Sequence, residues 1–352
     1  MNSDLRQGGL RGVAQRAGVS LGTVANVFAG KATVAPETRA VVLAAAAELG
    51  YQPHHRAAAL QSAPVTSLGF IVRHRLTPLT NPFYSHVLHG AESVCAEQGI
   101  SLSYEILATP PDDARQLPRI VQREQVQGIL VVGYVNPAVV VRLQRAGMPC
   151  VLVDYSTEPP TADSVRGEDE RGGYLATRYL LDRGHLSPPP AIITGSLDHP
   201  SIAERYAGYR RALGERGIAP PEDFVRIDTL GLDGGYTQMS ALLDLPTPPI
   251  AVFCGNDATA QGALSALHAR GVAVPERCAV IGYDDVDWAA HAVPPLTTIR
   301  VDKELLGAQA VRMLLERIAS PRMPVRQMRL AVSLIERQSV GYRSDGAQEA
   351  RQ

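Results

Sequence analysis

Nine histidines and four cysteines are the side chains of this 352-residue chain most able to hold a metal or attack an electrophile. Cys95, Cys150, Cys254 and Cys278 show no Cys-x-x-Cys spacing and sit in apolar runs such as Pro149-Cys150-Val151, so they read as reduced core thiols. His86 and His89 stand one helical turn apart, but the pair is not completed into a ligand set, and no metal is expected. P-loop, Gly-x-Gly-x-x-Gly and His-Glu-x-x-His patterns are absent. The polar residues thus point to binding chemistry, with no enzyme activity and no cofactor expected.

The elements that must position such a site fall into two textures. In the first 50 residues, Val13, Ala14 and Ala17 share a helical face, Gly18-Val19-Ser20 interrupts it, and Val24, Val27 and Phe28 resume it. Gly18 stands where a tight turn needs positive φ and Ser20 where an N-cap belongs, which makes helix, turn, helix. Ala14 is small enough for the two helices to approach, and Val24 can fill the space between them. A third helix opens at Pro36, runs through Val41, Val42, Leu43, Ala46 and Leu49, and stops at Gly50. A short alanine-rich helix over 54–61 follows Pro53; its length is too small for stability in water without a partner.

From residue 65 strands and helices alternate, as in parallel sheets covered by helices on both faces. Candidate strands are 67–72, 101–106, 128–132, 150–153, 191–194, 224–227, 251–254 and 279–281; candidate helices are 83–98, 172–183, 201–216, 235–243, 257–270 and 302–318. That is more than one modest doubly wound sheet holds, so two similar lobes are expected, divided near 156–163 and again near 294–298.

Thirty-four basic against thirty-five acidic residues leave a net charge of −1, which as an average argues against a basic coat protein. Residues 1–62, however, carry +3 and the remainder −4, a cationic head on an acidic body. With 45% hydrophobic residues the chain has material for packed cores. The first nine residues lack the apolar stretch of a signal peptide, and no run approaches 18 apolar residues, so a cytoplasmic protein with no membrane role is expected.

In this order along the chain, the motifs resemble those of the lactose-repressor (LacI/GalR) family of bacterial transcription regulators. The run Val13-Ala14-Gln15-Arg16-Ala17-Gly18-Val19-Ser20 to Val24 is similar to its helix-turn-helix, and Val34-Ala35-Pro36-Glu37-Thr38 and Leu49-Gly50-Tyr51-Gln52-Pro53 continue it. Asn81-Pro82-Phe83-Tyr84, Arg205-Tyr206-Ala207-Gly208-Tyr209, Gly255-Asn256-Asp257, Gly282-Tyr283-Asp284-Asp285 and Pro295-Leu296-Thr297-Thr298-Ile299 resemble its later signatures. The resemblance implies an all-α helix-turn-helix DNA-binding head on a two-lobed α/β body like a periplasmic binding protein, with doubly wound parallel sheets. The implied divisions are a head over 1–52, a hinge over 53–64, a body over 65–343 and a tail over 344–352. One lobe is expected at about 65–158 plus 298–325, the other at about 159–297 plus 326–343.

The same resemblance implies a homodimer on pseudo-palindromic double-stranded operator DNA, with a small effector between the lobes that alters operator affinity through the hinge. The body alone would also suit a periplasmic sugar-binding protein without a DNA role. The second helix would enter the major groove with Leu21, Gly22, Ala25 and Asn26 toward base edges, Asn26 suiting adenine and Leu21 and Ala25 thymine methyls. Ser20, Thr23, Arg16 and Lys31 would meet phosphates, and Ala57 and Leu60 the minor groove, with Leu60 as an apolar wedge. Ala25, Asn26, Ala59 and His54 stand where the family has Ser, Arg, Arg and Asn, so its common operator preference is not carried over. Asp154, Arg205, Asn256 and Asp284 match its effector positions, with Phe83 and Tyr84 facing the same cleft and Leu230 and Trp288 in its wall. Two carboxylates, an amide and a guanidinium suit the vicinal hydroxyls of a sugar, and Arg205 with Asp284 also suits a purine. Tyr283 and Asp285 are expected to be structural. The tail lacks leucine heptads, which favours a dimer over a coiled-coil tetramer.

Overall fold

The computed structural model describes residues 10–28, 34–49, 64–73, 76–79, 81–107, 117–228 and 230–343. The hinge candidates Ala57 and Leu60, the head residue Lys31 and the tail 344–352 lie outside them.

Helix α1 (Leu10–Ala17) ends where Gly18 turns to φ +65°. The Val19 N–H donates to the Ala14 carbonyl and the Gly18 N–H to that of Gln15, the paired bonds that close a helix around a left-handed glycine. Helix α2 (Leu21–Phe28) follows, and α3 (Pro36–Glu48) starts on its proline. Val13, Ala14, Val24, Val27, Val42, Ala45 and Ala46 form the head core, with Val24 between the helices as expected. Val41 and Leu43 are each 50% exposed and do not join it. At 3.6 residues per turn the face through Val42 continues at 45 and 46, not at its immediate neighbours.

Among the described residues the body holds two six-stranded sheets. In chain order its elements are β1 (Ser67–Arg73), α4 (Pro82–Glu97), β2 (Ser101–Leu107), α5 (Arg119–Gln122), β3 (Ile129–Val132), α6 (Pro137–Arg145), β4 (Cys150–Val153) and β5 (Asp163–Gly167). Then come α7 (Asp169–Asp182), β6 (Ala191–Thr194), α8 (Pro200–Gly214), β7 (Val225–Ile227), α9 (Leu232–Leu243), β8 (Ala251–Cys254), α10 (Asp257–Ala269), β9 (Ala279–Asp284) and β10 (Thr297–Arg300). The last are α11 (Lys303–Ala319), β11 (Gln327–Leu330) and β12 (Ser333–Ile335). The first sheet runs β11-β5-β4-β3-β1-β2, all parallel; the second runs β12-β10-β9-β8-β6-β7, with only β12 antiparallel.

This pairing corrects the expected lobe boundaries. β5 and β11 belong to the first lobe and β10 to the second, so the chain crosses between Gly167 and Asp169, Arg300 and Lys303, and Leu330 and Ser333. Proline-rich loops are therefore not where the lobes divide, and β5 gives no strand signal in the sequence because Asp-Ser-Val-Arg-Gly is no apolar run. β5 is buried because α11, which packs on β4 and β5, supplies Arg317: its Nη2 and Nε donate to the two Asp163 oxygens at 2.7 and 3.0 Å. Strands β10 to β12 and the short helices α5 and α6 were also not among the expected elements. No helix among the described residues is long and apolar enough to cross a membrane.

Candidate functional site

Parallel strands end at one edge, and the side chains just past their carboxyl ends meet where the lobes face. Asp154 follows β4 with φ +69°, and Asp284 closes β9 with φ +113°, a left-handed backbone that turns each carboxylate out of the strand direction. From α4 of the first lobe the Tyr84 hydroxyl donates to Asp154 Oδ2 at 2.8 Å. From α8 of the second, Arg205 donates through Nε to Asp169 Oδ1 and through Nη1 to the Gly255 carbonyl, both at 2.8 Å. Its Nη1 lies 3.7 Å from Asp284 Oδ1, too long for a hydrogen bond but close for a charge pair. The Arg205 guanidinium stacks 3.7 Å over the Tyr283 ring. Ser201 Oγ donates to the Asp154 carbonyl at 2.6 Å, tying the second lobe to the first beneath the carboxylate.

These groups are all buried. Burial raises the pKa of Asp154, opposed in part by Arg205 and the Tyr84 hydrogen bond. It raises that of Asp169 against the pull of Arg205, and lifts that of Asp284 well above the usual range. Burial also works against the Arg205 charge, but Asp169, Tyr283, Asp284 and Asp154 outweigh it and hold the guanidinium protonated. Arg205 bonds directly to only one of the three carboxylates, Asp169, so acceptor oxygens of Asp154 and Asp284 are left to receive donors such as hydroxyls.

The sequence-predicted positions separate into groups. Tyr84, Asp154, Arg205 and Asp284 are brought together. Asn256 lies just past β8, but its Oδ1 caps α10 by accepting the Thr259 N–H at 2.9 Å, so only its amide nitrogen is left to donate. Phe83 is buried in the apolar core and meets Tyr84 edge-on at 5.0 Å. Trp288 packs on the second-lobe core, while Leu230 covers Gly195 and Gly255. Asp285 is structural as expected, clamped by Arg300 and Arg337 at 2.6 Å each.

Asp169, the direct partner of Arg205, was missed, since it opens a helix and looks like an ordinary first-turn acid. Also missed was the ring pair of Tyr134 from the first lobe and His199 from the second, 5.6 Å apart; burial first, then Arg205, lowers the His199 pKa to about 4. Two bridges join the lobes farther out. Arg166 of β5 and Arg329 of β11 reach Glu204 of α8 at 2.7 and 3.2 Å. His86 lies 3.3 Å from Asp287 and 3.2 Å from Glu304, carboxylates more than 200 residues away in sequence.

In the head, the Ser20 hydroxyl accepts the Thr23 N–H at 3.0 Å and pairs with the Thr23 hydroxyl at 2.9 Å, so it caps α2. The run Gly18-Val19-Ser20-Leu21-Gly22 has the Gly-x-Ser-x-Gly spacing, but its Ser20 stands between two helices and not at a strand-to-helix elbow. Leu21 is 45% exposed, so it does not pack inside the head; Gly22 is exposed and Thr23 and Asn26 half-exposed, and Ala25 takes its place on α2. Arg16 is engaged by Glu48 at 2.5 Å.

A helix-turn-helix head joined to a two-lobed sheet body with a polar cleft defines a ligand-controlled DNA-binding protein. Residues 9–54 match the lacI family of bacterial regulatory proteins, and residues 177–340 match the periplasmic binding protein-like domain. The ribose operon repressor of Escherichia coli (strain K12) is 35% identical over 335 residues, 94% of this chain and 99% of the repressor. The HTH-type transcriptional repressor PurR of Vibrio atlanticus is 34% identical over 333 residues, 94% of this chain and 98% of its own. Among solved structures, a complex of the transcriptional regulator CelR with cellobiose is 30% identical with a TM-score of 0.72, covering 94% of this chain and 99% of that one. The lac repressor dimer bound to operator and the anti-inducer ONPF is 26% identical with a TM-score of 0.70, covering 95% and 99%. The chain belongs to the lacI family of bacterial regulatory proteins. It is a ligand-responsive DNA-binding transcriptional repressor and not a periplasmic binder.

Proposed function

We propose that this repressor takes a small neutral polyhydroxylated effector, a sugar, between its lobes, and acts as a cytoplasmic homodimer on a pseudo-palindromic operator. The observation that carries this is the buried set of Asp154, Asp169 and Asp284 around Arg205 at the facing strand ends. Carboxylates accept from adjacent hydroxyls, the remaining Arg205 and Asn256 donors give to ring or hydroxyl oxygens, and Tyr84 supplies an aromatic wall with Phe83 packed behind it in the core. Support comes from a LacI family regulator of Enterococcus faecium with bound ribose, 28% identical with a TM-score of 0.68 and covering 79% of this chain, and from the ribose operon repressor. The likeness to PurR favours a purine as the second reading, with Arg205 and Asp284 on the ring edge.

In the head, Leu21, Gly22, Ala25 and Asn26 would face base edges, and Ser20, Thr23 and Lys31 phosphates. The Ser20 Oγ is engaged by its capping bond, so phosphate contact at this helix start would fall to backbone N–H groups. Ala57 and Leu60 would meet the minor groove. Closure of the lobes on effector then changes the spacing of the two hinges in the dimer, and linkage makes operator change effector affinity by the same factor.

A thermal-shift screen of sugars and nucleosides separates the two effector readings, because a ligand bound only to the folded state raises its melting point. D-ribose or cellobiose shifting the wild type but not Arg205→Lys supports the sugar; a shift with hypoxanthine or guanine alone supports the purine. Shifts that persist in Arg205→Lys remove Arg205 from the site. Leu60→Ala should weaken operator binding far more than non-specific binding, and equal losses would refute the wedge.

A further inference from the structure

We infer that the adjacent glycines Gly172 and Gly173 of α7 are positioning residues for Arg205, one seating its backbone and the other the ring on which its guanidinium lies. The inference rests on the cleft role proposed for Arg205. A Cβ at Gly173 would stand 2.0 Å from the Arg205 carbonyl oxygen and 2.9 Å from its Cα. A Cβ at Gly172 would stand 2.3 Å from Tyr283 Oη and 2.6 Å from its Cε2, and that ring carries the guanidinium at 3.7 Å. Across the contact, Gly208 of α8 presses on the Glu170 carbonyl, 2.0 Å from where its own Cβ would be. Neither Gly172 nor Gly173 has a positive φ, so glycine is required there for space and not for backbone freedom.

Glycine weakens a helix interior, and two in succession weaken it more. Close helix crossing alone accounts for one of them: α4 and α11 meet at Gly90 and Gly307, and α9 and α10 at Gly235 and Gly262, each glycine lying on partner backbone. Gly172 differs in meeting a side chain, and that side chain touches both ends of the Arg205–Asp169 pair, since Tyr283 Oη also donates to Asp169 Oδ1 at 3.3 Å. Asp169 lies on α7 one turn before Gly173, and Arg205 on α8 one turn before Gly208. The glycine crossing therefore sets the separation of the helices that hold the 2.8 Å Nε bond. Restoring ordinary contact at an added methyl needs a shift on the order of 1 Å, enough to break that bond.

The test is solvent exchange of the Arg205 Nε–H in the full-length dimer by nitrogen-edited NMR, the signal being identified by its loss in Arg205→Lys. The bond to Asp169 slows exchange in the wild type. Gly173→Ala and Gly172→Ala are each expected to speed it at least tenfold. Gly262→Ala, an equally tight crossing away from the arginine, is expected to leave it unchanged. Wild-type exchange in folded Gly172→Ala or Gly173→Ala overturns the inference, as does equal acceleration in Gly262→Ala. Should Gly173→Ala fail to fold, Gly172→Ala decides, because only a side chain opposes it. Calorimetric titration of D-ribose into wild type and Arg205→Lys is the separate arm: unaltered affinity removes the cleft role, while the exchange result still decides the seating.

Discussion

Replacing Arg205 by alanine removes the guanidinium that pairs directly with Asp169 and Asp284 and also acts on Asp154. It deletes two 2.8 Å charge-assisted bonds and the stack on Tyr283, and leaves buried Asp169 without its direct counter-charge. Breaking one member of a buried pair costs about 3–5 kcal/mol. At roughly 2–4 °C per kcal/mol for a body of this size, the melting point should fall by about 6–20 °C. The loss must depend on pH with a definite sign. Burial already raises the pKa of Asp169 and Asp284 above 3.8, and without Arg205 they rise further. An acid with a raised folded pKa binds more protons folded than unfolded, so its penalty grows as pH climbs from its unfolded value to its folded one. Thermal melts of wild type and Arg205→Ala, at one protomer concentration and at pH 5 and pH 8, should therefore show the larger deficit at pH 8. A deficit under about 1 kcal/mol, or one equal at both pH values, would refute the counter-charge role.

Three further outcomes are expected. His199, held near pKa 4 by burial, opposes folding and closure as pH falls from 6.5 toward 4, by up to about 3 kcal/mol. His199→Gln should flatten that limb of the stability profile, and an unchanged limb would assign it to other groups. Leu21→Ala removes a side chain that is 45% exposed, so folding stability should stay within about 0.5 kcal/mol of wild type while operator affinity drops about tenfold in a gel-shift titration. Equal loss on unrelated DNA would exclude a base contact. Ser20→Ala should cost the head about 1 kcal/mol by hydrogen exchange of α2 amides, and full retention of protection would deny the cap.

Local patterns carry information that survives without the fold. Gly18, Ser20 and Pro36 mark helix ends through φ, capping and the missing N–H, and each does so in the structure. Asp154, Asn256 and Asp284 were singled out by their likeness to the family's motifs; what local pattern adds is that apolar runs mark the strand ends at which they stand, Asp154 and Asn256 just past theirs and Asp284 closing its own. Val41 and Leu43 show the limit of that signal, since an apolar residue in a helix need not lie on its buried face.

Long-range pairing is of a different kind. That Arg205 meets Asp169 and Gly255, 36 and 50 residues away, or that β5 is buried by an arginine 154 residues later, leaves no trace in local periodicity. The lobe assignments of β5, β10 and β11 depend on three chain crossings, and a proline-rich loop marks a turn without saying which sheet the next strand joins. Composition, caps and strand ends are properties of neighbours along the chain, so helix, strand, head and body were legible there. The partners of each buried charge follow from which elements pack together, and that is a balance of burial and charge pairing struck only once the chain is folded.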